Sequence, residues 1–166
     1  MTSNRTVAVF GAYGHTKRFV VAELYERGWK PILSGRNAEK LNSLRSEYPQ
    51  SEIGVASGDD PQSLNGAIAG ASAVINCAGP FIDTAIPIIE AALRSRIHYL
   101  DIAAEQAAVL AVFERFSRAA LEAGIVIAPA MACNEWAGQD QRRCYSRRSL
   151  RPLKLFECAC SGACFG

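Results

Sequence analysis

Histidine is scarce in this chain, and long apolar runs and any strong excess of one charge are missing from it. The two histidines, His15 and His98, fall in a glycine-rich loop and at the start of an apolar run, so neither is placed for a Ser–His–Asp hydrolase. No apolar stretch approaches the roughly 20 residues of a membrane-spanning helix, and Met1 to Arg5 leads straight into an apolar run with no signal-peptide core. A cytoplasmic location with no membrane partner is therefore expected. The formal charge is only +2, which gives no electrostatic footprint for nucleic acid. The pairs Arg142-Arg143 and Arg147-Arg148 have little aromatic interleaving and read as solvated side chains. Cys133, Cys144, Cys158, Cys160 and Cys164 form no pair of C-x-x-C motifs and have no histidine among them, so no metal site is expected. A self-contained reductase of the short-chain type, built on a Tyr-x-x-x-Lys acid–base pair, is not expected either.

What is there is a chain of 166 residues, 49% hydrophobic and 20% charged. That is the size of one domain with its own core, and too short for a second full one. The composition breaks near residue 132. Residues 1–132 carry 12 basic and 13 acidic side chains (net −1), whereas 133–166 carry 6 and 3 (net +3) and five of the six cysteines. The expected division is a folded unit over 1–132 and a short irregular Arg- and Cys-rich tail over 133–166.

Strand and helix alternate through the folded part. Apolar runs at 5–10, 30–34, 52–56, 73–76, 98–102 and 125–128 predict six strands. Helical spacing predicts a helix over 14–27 that places Val20 and Leu24 on one face and ends at Gly28, and another over 38–48 with Leu41, Leu44 and Tyr48 on one face. A short helix opens on Asp60-Pro61 as N-cap and first residue and buries Leu64 and Ile68. A helix over 84–94 holds Pro87 in its first turn, and a long one over 105–122 uses Val109, Val112, Phe113 and Phe116 before Gly124 stops it. Six strands with intervening helices and uninterrupted apolar runs predict an α/β fold, a doubly wound parallel sheet of the Rossmann kind.

The most informative stretch is Val9-Phe10-Gly11-Ala12-Tyr13-Gly14-His15-Thr16, where the first strand stops on two glycines and turns into a helix. Such a turn leaves the first amides of the helix unpaired beside the positive end of the helix dipole, which suits a pyrophosphate. The spacing is G-x-x-G with Lys17 where a third glycine usually stands, so Lys17 either extends outward or lends its ammonium to the phosphate. In an open parallel sheet the ligand lies beyond the C-terminal strand ends. After the second strand comes Ser34-Gly35-Arg36 rather than an acidic residue. A hydroxyl and a guanidinium there suit a ribose 2′-phosphate, so NADP(H) is favoured and NAD is the alternative; the bland reading is that Arg36 is a solvated residue at a helix start. Asp59, after the third strand, either borders the adenine end or only helps Asp60 start its helix. After the fourth strand, Cys77-Ala78-Gly79-Pro80 offers small residues that a ligand can approach closely.

These motifs, with Asn76-Cys77-Ala78-Gly79-Pro80-Phe81 and His98-Tyr99-Leu100-Asp101 followed by Glu105, resemble the N-terminal NAD(P)-binding domain of saccharopine dehydrogenase-like oxidoreductases, a group that includes trans-acting enoyl reductases. The resemblance spans about residues 5–131. It implies that the loop Gly11, Ala12, Tyr13, Gly14, His15 and Thr16 holds the pyrophosphate, that Ser34, Gly35 and Arg36 hold the adenosine ribose or its phosphate, and that Cys77, Ala78, Gly79 and Pro80 border the nicotinamide. Members of the family continue into a substrate-binding domain, whereas this sequence after Ala132 turns Arg- and Cys-rich. A reading-frame slip near codon 132 accounts for that change, and translating all three frames of the coding DNA tests it. The expected function is therefore an NAD(P)-dependent oxidoreductase in truncated form. The alternatives are a noncatalytic nucleotide-binding or redox-sensing protein and a nonfunctional fragment. Asp101 and Glu105 lie near the right strand end, but no catalytic residue is assigned; the substrate is unreadable, and an exposed sheet edge makes self-association plausible.

Overall fold

The computed structural model describes residues 5–14 and 17–131. The tail expected over 133–166 lies outside them, with every cysteine but Cys77, as do His15, Thr16 and the Lys17 side chain. Strands β1 (Thr6–Phe10), β2 (Lys30–Gly35), β3 (Glu52–Val55), β4 (Ala73–Asn76), β5 (His98–Asp101) and β6 (Ile127–Ala128) alternate with helices α1 (Lys17–Glu26), α2 (Ala38–Glu47), α3 (Pro61–Ala67), α4 (Phe81–Ser95) and α5 (Gln106–Ala123). All six strands are parallel, in the order β3-β2-β1-β4-β5-β6. The chain starts in the middle of the sheet, winds outward to β3 and then crosses to β4, so the β1/β4 boundary is the point where winding reverses.

Alternation along the strands divides the core between two faces. Val7 and Val9 of β1 pack with Leu33, Val21 and Leu24 of α1, and Leu41 and Leu44 of α2. Ala8 and Phe10 point the other way and pack with Leu64, Ile88, Ile89, Val112 and Phe116, from α3, α4 and α5. Both faces are covered, which is why residues 7–10 of β1 and 73–75 of β4 are apolar without interruption.

The predicted caps form. The Asp60 carboxylate accepts from the Gln62 and Ser63 amides at 3.0 and 3.3 Å ahead of Pro61, and Gly124 ends α5 at φ +67; the structure adds a cap at α2, where Asn37 accepts from the Lys40 amide at 2.9 Å. Two expectations need correction. Helix α4 begins at Phe81 rather than near residue 84, so Pro87 lies in its second turn; the early start is possible because a side chain from elsewhere caps it, as described below. Phe113 is half exposed: α5 buries Val112 and Phe116, and Phe113 falls on the flank away from the sheet. No helix among the described residues is long and apolar enough to cross a membrane.

Candidate functional site

The C-terminal ends of the strands gather the sequence motifs along one edge of the sheet. At the exit of β1, Gly11 adopts φ +79, and a Cβ there would lie 2.9 Å from the Ala78 Cβ and 3.0 Å from the Ala78 amide nitrogen. Glycine is therefore required twice, by the backbone angle and by the close approach of the β4 exit.

The first two amides of the turn, ahead of the predicted helix, are engaged. Gly11 and Ala12 both donate to the Ser34 carbonyl, at 2.7 and 3.1 Å, because the turn folds back onto the end of β2. Tyr13 and Gly14 retain amides with no acceptor among the described residues, and the Gly14 carbonyl accepts from the Arg18 amide at 3.3 Å as the helix starts. Among the described residues, the amides of the loop without an acceptor thus begin two residues beyond the first glycine, at Tyr13.

Ser34 is fully buried. Its hydroxyl has no hydrogen-bond partner among the described residues, and its carbonyl is what braces the glycine turn. Gly35 is buried beneath Tyr13, where a Cβ would stand 2.5 Å from the ring Cε1. Arg36 is exposed at the mouth. Lys40, from the first turn of α2, places its ammonium 5.7 Å from the centroid of the Tyr13 ring. Sequence reading passed over Lys40, since nothing in its spacing relates it to a loop 27 positions earlier. Asp59 is exposed in the turn before α3. Tyr13 and Lys17 do carry the Tyr-x-x-x-Lys spacing, but the Tyr13 ring lies on the β2 side against Gly35. It is therefore on the half of the sheet that takes the first mononucleotide, away from the second, where hydride chemistry would occur.

On the other side of the reversal point, Cys77 is fully buried with its amide donating to the Phe10 carbonyl at 2.8 Å, and Gly79 and Pro80 are exposed. Two carboxylates were singled out near the end of β5, and both are engaged. Glu105 accepts from the Phe81 and Ile82 amides at 3.1 and 3.0 Å. It is the cap that starts α4 early, a charge-assisted pair of bonds at the positive end of the helix. Glu105→Gln is expected to cost about 1–2 kcal/mol, read as a lower urea midpoint with unchanged slope. Asp101 is almost completely buried and accepts from the Ala103 and Ala130 amides at 2.9 and 2.7 Å and from the Tyr99 hydroxyl at 2.8 Å. Burial, and after it the Asp101 carboxylate, hold the Tyr99 phenol well above its ordinary range, so Tyr99 remains the donor.

A central reversal of winding with a glycine turn at the exit of β1 defines a dinucleotide-binding α/β domain. The chain belongs to the family described as the saccharopine dehydrogenase NADP binding domain, whose model matches residues 7–143, a segment that runs past the composition change near residue 132. It is 28% identical over 140 residues to a lipid droplet localized protein of Caenorhabditis elegans, covering 77% of this chain and 33% of that one. It is likewise 28% identical over 139 residues to a saccharopine dehydrogenase-like oxidoreductase of Bos taurus, covering 73% and 32%. The chain thus spans about a third of the length of these relatives. Among solved structures, the apo saccharopine dehydrogenase (L-Glu forming) of Saccharomyces cerevisiae superposes with a TM-score of 0.63 at 16% identity, over 75% of this chain and 26% of that one.

Proposed function

We propose that this chain binds NADP(H) in preference to NAD(H) along the C-terminal edge of the sheet, and that it is the coenzyme-binding part of an oxidoreductase of the saccharopine dehydrogenase-like type. The observation that carries the preference is the exposed Arg36 at the end of β2, where a carboxylate would select the ribose 2′-hydroxyl, together with the Lys40 ammonium over the Tyr13 ring. The amides of Tyr13 and Gly14, which have no acceptor among the described residues, suit the pyrophosphate at the entrance to α1, with His15 and Thr16 following them in the sequence. Arg36, with Lys40, would meet the 2′-phosphate; Ser34 and Gly35 form the floor beneath it, and Asp59 borders the adenine. Ala78, Gly79 and Pro80 border the nicotinamide, and Cys77, fully buried, ties their loop to β1 through its amide rather than meeting the ring. The bound coenzyme supplies the hydride chemistry, and the protein supplies orientation and electrostatics.

Arg36→Ala is expected to weaken NADPH binding by about 10- to 100-fold, the worth of one or two charge-assisted hydrogen bonds. NADH binding should change by less than about twofold, because NADH presents no phosphate to the missing guanidinium. Calorimetric titration of both nucleotides checks this. Absence of saturable binding of either nucleotide below millimolar concentrations would remove the proposal.

A second reading, a noncatalytic nucleotide-binding or redox-sensing protein, is favoured by one observation: Asp101 and Glu105 both spend their carboxylates on backbone amides. Turnover of NADPH against a panel of carbonyl and imine substrates separates the two. A cytoplasmic setting without nucleic acid or membrane belongs to the same proposal, supported by the small net charge. So does self-association, supported by the exposed Phe19, Leu110, Phe113 and Leu121.

A further inference from the structure

We propose that Asp101 and Tyr99 are positioning residues for the nicotinamide half of the coenzyme, acting through one buried hydrogen-bonded chain that fixes the three strand exits over which that half lies. The proposal rests on the NADP(H) reading above. In a sheet that reverses between β1 and β4, the first mononucleotide lies over β1, β2 and β3 and the second over β4, β5 and β6. Each half of this edge has its own hub. On the first it is the Ser34 carbonyl, which ties the exit of β1 to that of β2.

On the second half the hub is Asp101. Its Oδ1 accepts from the Ala103 amide in its own exit loop and from the Ala130 amide beyond β6, and its main-chain carbonyl accepts from the Met131 amide at 2.8 Å. Its Oδ2 accepts from the Tyr99 hydroxyl. That hydroxyl accepts in turn from the Asn76 side-chain amide nitrogen at 3.3 Å, and the Asn76 side-chain Oδ1 accepts from the Ala78 amide at 3.0 Å. The chain therefore runs from β6 through β5 to β4 and ends on Ala78, the residue against which Gly11 is closely packed. The two hubs meet at that contact.

Two further observations support a positioning role. Asp101 and Tyr99 are 1% and 0% exposed, so neither touches a ligand directly and each acts through the loops it holds. Ala130 stands at φ 60, a left-handed conformation disfavoured for a residue with a Cβ, and its amide is held there by the Asp101 carboxylate. A buried carboxylate is costly unless fully hydrogen-bonded, and here all its described partners are backbone amides or Tyr99. The charge is spent on loop geometry.

The test compares the full chain with Tyr99→Phe and Asp101→Asn, titrating each with NADPH and with adenosine 2′,5′-bisphosphate, which lacks the nicotinamide half. Both variants are expected to bind the bisphosphate within about twofold of the parent while the Kd for NADPH rises about tenfold, the scale of one lost hydrogen bond. The rise in dihydronicotinamide fluorescence on binding should shrink in parallel, which a uniformly loosened fold would not produce selectively. Equal weakening of both ligands, or no change in either, would overturn the proposal and leave NADP(H) binding standing. Failure of both variants to fold would overturn it too, since the network would then serve the fold and not the rim. If the parent chain binds neither ligand, it is the NADP(H) reading itself that fails.

Discussion

A Gly11→Val variant is expected to lose measurable NADPH binding and about 3–5 kcal/mol of folding stability, the combined cost of a strained backbone and of overpacking. The two contributions have separate origins. At φ +79 a β-branched residue is in a conformation that L side chains rarely adopt. Its Cβ would also enter the space of Ala78, 2.9 Å from one atom and 3.0 Å from the backbone nitrogen, so the rigid exit of β4 must move rather than a flexible side chain. Either response separates the β1 and β4 exits, opening the edge where the dinucleotide would cross. Urea denaturation gives the stability, and titration of the folded fraction with NADPH gives the binding. A variant with near-native stability and affinity would show that the contact between the two exits is dispensable.

Asp101→Ala is expected to be nearly as damaging to stability, by about 3 kcal/mol, because truncation strands buried donors that the parent satisfies. The Tyr99 hydroxyl and the Ala103 amide are buried, and both lose their acceptor; the Ala130 amide is half-buried and recovers part of its loss from water. A fall in melting temperature of about 10 °C corresponds to that loss in a domain of this size. Asp101→Asn keeps one acceptor oxygen and should fall well short of this, so the ordering Ala worse than Asn is part of the expectation. Equal melting temperatures for the parent and the alanine variant would mean that the carboxylate does not hold these donors in solution.

Asp101 also illustrates where sequence reading stopped. A carboxylate at the end of a strand, over the half-site where hydride chemistry would occur, has the address of a catalytic group. Only the fold brings the Ala130 amide from 29 positions away onto it, together with the hydroxyl of Tyr99. Glu105 is similar: its position before a helix suggests that it favours that helix's N-terminus, and it instead reaches across to the first amides of α4.

By itself the sequence determined what depends on short-range pattern. The six strands follow from apolar runs, several helix boundaries from Asp60-Pro61, Gly28 and Gly124, and the doubly wound order from the alternation, because helices of that spacing cover both faces of a parallel sheet. The family was legible for the same reason, since its motifs are contiguous at the strand ends. What only the tertiary structure decided is which polar groups are already engaged. The Ser34 carbonyl takes the first two loop amides, Lys40 comes to the Tyr13 ring, and both carboxylates near β5 hold backbone. Hydrogen-bond partners far apart in the chain leave no periodicity to read, so the division between groups left for a ligand and groups spent on the fold appears only when the strand exits are brought together.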